Sequence, residues 1–390
     1  AYGSINKIKE NHQLDVNVVD STISSQKTSV TAHRGNLGKE NFIHSRLGNI
    51  GVLSGTAAYG SSITEGNTGI VIKNSSLLST ADKTEVNAKD TMVTRTVTSG
   101  LNLIGVNVTS YNDAVTENNS SVTVSVKGDG SNQYKIAGTK GIEITANKNS
   151  QSISEGWGYG VGAANGEGAF AKTQETGDAT VTVRGNQYSF ESGEGSNTIK
   201  SYNTSKAISK VSGEGAGAVG VMKSRGEAAV TGTATTDIDS GNTFRGNNND
   251  IGAIVGTAGE HNAQATVVGG AAAITVAVNA DSAIANTDTK AIVVVGQENY
   301  IDSDGLSRAT VNLKGENYSN RYADLKGHSI AAAGGNGANS ATASGHDLVS
   351  VTAKGGRVKY LNIDTDNQST GYANGRNITN GAVNASPYAA

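Results

Sequence analysis

The chain has 390 residues, with 31 basic and 34 acidic side chains giving a net charge of −3, and it contains no cysteine. This excludes a disulfide framework, a thiolate metal site and a cysteine nucleophile, and the even spread of charge leaves no basic patch for nucleic acid. With 51 Gly but only 1 Pro, 1 Trp and 4 Phe, the chain lacks the large side chains of a broad globular core; a thin core of stacked small aliphatic groups remains within reach.

Residues 1–30 carry neither the basic nor the apolar region of a signal peptide, and no apolar run is long enough to span a bilayer. The expectation is a mature chain or an excised segment, with no membrane insertion. Residues 1–50 show weak periodicity, with one clear strand at Asp15–Val19, and are expected to form irregular or edge rungs. From 51 to 370, short β-branched runs bounded by Gly and Asn recur at a nearly constant interval. Ile274, Ile292, Val311, Ile330 and Leu348 follow one another at steps of 18, 19, 19 and 18. The same ladder continues upstream through Ile254, Ile238, Val219, Ile199, Val181, Val161, Ile142, Val122 and Leu103.

A second recurrence is longer: Tyr134, Tyr188, Phe244 and Tyr300 close similar Gly/Asn-containing runs and follow one another at steps of 54, 56 and 56. Together these patterns predict an all-β fold, a single-stranded parallel β-helix (β-solenoid) of about 19 residues per rung and roughly 20 rungs. The aromatic recurrence then corresponds to three rungs. Residues 371–390 are expected to be a C-terminal extension or further rungs. Ile274, Ile292 and Val311 are expected to stack as inward neighbours, with Gly and Asn taking the corners.

Blocks such as Gly217–Val230 and Gly270–Ile284, in which Gly/Ala-rich and Ala/Val strands alternate across an Asn-bearing corner, resemble the large repetitive exoproteins of Gram-negative bacteria. These are the filamentous-haemagglutinin-like and fusobacterial leukotoxin-like adhesins. The resemblance covers about residues 100–360. It implies a surface-displayed, β-helical passenger of type V secretion. The family's Asn-Pro secretion motifs have no counterpart, since the one proline is Pro387.

Several constellations could carry chemistry. Gly215–Gly220 spells GxGxxG with Asp237 downstream, but β-branched residues follow where a dinucleotide fold needs a helix. The order Asp288, Asp302 with Asp304, His328, then Arg357 with Lys359 resembles that of pectinase-like glycosidases, and implies an inverting hydrolase acting on acidic polysaccharide as the alternative function. His328 and His346 are one ladder step apart and would share a face if that step were one rung, making them weak metal candidates. Asp237/Asp239, Asp302/Asp304 and Asp364/Asp366 read as turn carboxylates. Trp157 and Tyr159 form the one dense aromatic spot and a candidate contact patch.

The sequence thus predicts an extracellular or cell-surface structural or adhesive protein, not an enzyme, with no cofactor. Its expected partners are itself, end to end in a filament or a longer chain, or a receptor on a host or neighbouring cell.

Overall fold

The computed structural model describes residues 2–35, 40–50, 53–103, 107–185, 187–297, 299–302, 310–331, 334–357, 360–380 and 386–389. The fold is all-β: no helix occurs among these residues, and every strand pairing is parallel. Parallel pairing at a fixed offset means that the chain passes the same place repeatedly. Gly3 lies beside Ala57, then Tyr111, Gly168, Lys223, Ala280, Ala338 and Ser386. Most offsets along this column lie between 54 (Gly3 to Ala57) and 58 (Ala280 to Ala338).

The short ladder step is therefore not the hydrogen-bonding step. One full turn takes the chain from Ser125 to Thr182, an advance of 57 residues. The three ladder positions within a turn belong to three different columns. Leu103, Val161, Val219, Ile274 and Ile330 mark one place in successive turns. Val122 pairs with Ala179 beside Val181, and Val181 with Thr236 beside Ile238, marking a second. Ile142, Ile199 and Val311 mark a third, on strands paired in series. Ile274, Ile292 and Val311 are not stacked: Ile292 pairs with Thr235 and Ser350, whereas Val311 pairs with Asn249 and Leu361. The aromatic spacing is one turn, not three, and it places Tyr134 directly beside Tyr188.

Each turn has a wide and a thin part. One turn runs through strand Leu53–Lys73, short strand Ser76–Ser79, strand Thr84–Thr91 and outbound strand Val93–Leu103, and the chain returns along Asn107–Lys127. The wide part is three-sided. Ile70 and Ile72 point inward from the end of the first strand, Leu77 from the short one and Val86 and Ala88 from the third, all fully buried. Successive turns stack like on like. The short-strand column Ile23, Leu77, Ile136, Phe190, Phe244 and Ile301 stays apolar, with the Phe190 and Phe244 rings stacked at 4.8 Å and 6°.

In the thin part, the outbound strands face the first half of the return strands with almost nothing between them. Ser, Thr, Ala and Gly occupy most of the inward positions, and the hydroxyls reach the opposite backbone. Thr96 donates to the Val115 carbonyl at 3.1 Å, Ser154 to Lys172 at 2.7 Å and Thr173 to Ile208 at 2.8 Å. At Gly156 a Cβ would lie 2.4 Å from the Phe170 carbonyl oxygen, so only glycine permits this approach.

A polar seam separates the two parts. Lys148 and Glu175, both essentially inaccessible, form an ion pair at 3.1 Å, and Ser150, Ser152, Ser205 and Asn118 complete their hydrogen bonds. One turn earlier Arg34 pairs with Asp90, which also accepts from Ser120. Near the other end Arg321 pairs with Asp347 at 2.7 Å, supported by Thr287, Thr289 and Ser369. Pairing the charges and surrounding them with hydroxyl donors offsets part of the cost of burying them.

Candidate contact patch

The outward face of the outbound strands carries the aromatic spot. Trp157 alternates with inward Gly156 and Gly158, so its indole points away from the thin interior and is 37% exposed. Register sets its neighbours: Arg46, Ser99, Trp157 and Ser212 form one column, and Gly48, Leu101, Tyr159 and Glu214 the next. Because serines stand one turn before and one turn after Trp157, nothing bulky covers the ring. The result is a groove of about 380 Å³ lined by Trp157, Tyr159, Leu101, His44, Arg46 and Ser99 among others. The Tyr159 hydroxyl lies 3.3 Å from Ser212 Oγ, and His44 Nε2 lies 3.3 Å from Ser99 Oγ.

Charge along this face is organised around Glu155, which sits below the groove and is 6% exposed. Arg95 binds it at 2.8 Å, and its own basicity is raised chiefly by that hydrogen bond. Lys210 approaches the same carboxylate at 3.7 Å, and Arg95 also lies over the Phe42 ring at 5.9 Å. The arrangement offers an aromatic floor with donors on its rim. Such a surface can bind by stacking and hydrogen bonding.

The glycosidase-like residues are dispersed. Asp288 lies on the return strand within Ala263–Val295, and His328 on the outbound part of Thr310–Ala331, paired with Gly270 and Ile378. These two strands carry opposite outer faces of the thin part. The imidazole near Asp288 is His346, at 3.5 Å and one turn on. Asp302 and Arg357 lie on the short-strand column, on a different side of the turn. Asp304 and Lys359 lie outside the described residues. His328 pairs with Gly270 on an outbound strand and His346 with Asp288 on a return strand, so the two imidazoles are not stacked one level apart. Among the described residues no group of three His, Cys, Asp or Glu side chains is placed to hold a metal ion.

The sequence reading passed over the carboxyls inside the thin part. Glu167, 4% exposed, is pushed up to about 8 by burial, relieved only in part by Ser110. Asp281, 3% exposed, is pushed up to about 6 by burial, against hydrogen bonds from Asn279 and Ser224. Strand parity would have found both, since Glu167 shares its inward phase with Ala169 and Ala171. Compared with family models, curated proteins and solved structures, the chain matches none.

Proposed function

We propose that this chain is a stretch of wide-turned parallel β-solenoid displayed outside a bacterial cell, serving as a structural and adhesive element. The register carries the reading. One residue from each turn, Gly3 through Ser386, stands in a single column, so the fold grows along one axis by repetition, as a stalk does. Among the described residues the strand Tyr2–Val19 pairs with Leu53–Lys73, and stacked parallel strands of this kind can accept a further strand from another chain or another turn. The open aromatic groove at Trp157 supplies a contact surface, and the dispersal of Asp288 and His328 onto opposite faces weighs against hydrolysis.

Labelling intact source cells with an antibody raised against the chain tests the location. Surface labelling that survives without permeabilisation is expected, and labelling only after permeabilisation would overturn the reading. Adhesion is tested with Trp157→Ala and Tyr159→Ala together: adherence of chain-coated beads to cells should fall while the melting temperature stays unchanged. Unchanged adherence removes the patch from the proposal.

A further inference from the structure

The first of the three ladder columns lies at the surface, at the tip where each outbound strand turns into its return strand. Ile50, Leu101, Val161, Val219, Ile274 and Ile330 are 72, 42, 49, 40, 69 and 45% exposed, and Val221 and Val276 stand beside them at 44 and 47%. Register places Ile50, Leu103, Val161, Ala216, Ala272 and Ile330 in one column on the outbound side of the tip, while Val219 stands beside Val276 on its return side. At Ile274 the register shifts, and the extra residue pushes this isoleucine outward.

The ridge is also free of charge in a chain that is 17% charged overall. Residues 47–50, 53–62, 97–103, 107–112, 156–166, 215–222, 265–280, 327–331 and 334–346 contain no Asp, Glu, Lys or Arg, and these stretches lie at the tip ends of the outbound and return strands in six consecutive turns. At the inter-strand spacing of about 4.8 Å, six levels make a straight ridge roughly 25 Å long. Half-exposed aliphatics over this length amount to on the order of 600 Å² of apolar surface, at the upper end of what the largest patch of a soluble monomer exposes and approaching the ~800 Å² per partner of a stable interface.

We infer that this ridge is a lateral interface with a second copy of the same chain. A straight, uncharged row of Ile, Val, Leu, Ala and Gly is self-complementary, so two copies related by a two-fold axis can lay ridge against ridge without unpaired charge. Attachment to an anionic bilayer would need an excess of flanking cations, but here Lys223 and Arg225 are accompanied by Glu214 and Glu227, and the chain as a whole carries −3. The association is sideways and stops at two copies, unlike the end-to-end growth proposed above.

Sedimentation of the full chain over several decades of concentration tests the inference, alongside Ile274→Glu and the milder Ile274→Ser with Val276→Ser. The wild type should reach a closed dimer, twice as wide in negative-stain images and no longer, with both variants weakening it at least tenfold while melting unchanged. A wild type that stays monomeric, a dimer indifferent to both variants, or flotation with phosphatidylcholine vesicles in place of dimerisation would overturn it. Growth in length that persists in the Ile274 variants would report on the strand edges alone, so the two associations fail separately.

Discussion

The wide and thin parts of each turn share one backbone ladder but fill their interiors in opposite ways. The wide part encloses Ile, Leu, Val and Phe in three facing columns, and its dimensions are set by side chains. The thin part is packed by Ala with a few Val, and its two sheets approach until hydroxyls reach across to carbonyls. The first should therefore be sensitive to losing volume and the second to gaining it. The polar seam lets both packings coexist in one turn.

The largest effects are expected at the wide part and the seam. Phe190→Ala removes a ring stacked between turns and should cost about 3–5 kcal/mol in urea unfolding. Lys148→Met strands the buried Glu175 carboxylate and should cost a similar ~3–5 kcal/mol, whereas adding Glu175→Leu should restore most of that loss, because the uncompensated charge is then gone. If the double variant is no more stable than the single one, the seam is not acting as a charge pair.

The thin part should respond to a smaller change in the other direction. Gly156→Ala puts a methyl group against the Phe170 carbonyl and should cost about 1–3 kcal/mol, although the same substitution is mild in most strands. Gly3→Ala, where the nearest neighbour of a Cβ is the Ala57 carbonyl oxygen at 3.8 Å, is the matched control and should be close to neutral. Equal losses at the two sites would remove the close approach of the two sheets at Gly156.

The smallest effect per unit of condition is the pH dependence of the thin part. Burial lifts Glu167 from its ordinary 4.5 to about 8, so between those values the folded chain holds a proton that the unfolded chain has released. Stability contributed by this group is thus present at low pH and falls as pH rises towards 8, by up to about 1.4 kcal/mol per pH unit. Urea midpoints of Glu167→Gln, compared with the wild type across this range, should show that component of the slope removed. A wild-type midpoint that rises with pH, with the variant unchanged, would contradict the buried carboxyl.

Much of this was legible in the residues. The β-branched runs, the Gly/Asn breaks and the absence of any helical pattern point to strands throughout, and Val122, Ile142, Val181 and Ile199 are buried as the ladder implies. The length of a turn was not legible. Three places in one turn have similar sequence spacing and local composition, so Val161 at a tip, Val181 inside and Ile199 inside read as equivalent steps, though one is 49% exposed and the others are sealed. The aromatic spacing from Tyr134 to Tyr188 held the true period, because the two residues are register partners in successive turns with ring centroids 5.5 Å apart. Trp157 and Tyr159 stood out as an aromatic cluster, but the serines that leave the indole open, Ser99 and Ser212, come from the turns before and after it, far away in the chain. Lys148 and Glu175 gave no local sign of pairing, since their partnership depends on which strands face each other across the seam.

The period itself can be measured with the least ambiguity in a chain that has no cysteine of its own. Ser125 and Thr182 are 57 residues apart and in register, with their hydroxyls 3.1 Å apart. Cysteines at both positions should oxidise rapidly to an intramolecular disulfide in the dilute native chain, and should not do so in urea at the same rate. The matched pair at Ser125 and Glu143, one ladder step apart in the sequence, should remain reduced. Rapid bridging of Ser125 to Glu143, with Ser125 and Thr182 left open, would contradict the long turn and return the fold to short rungs.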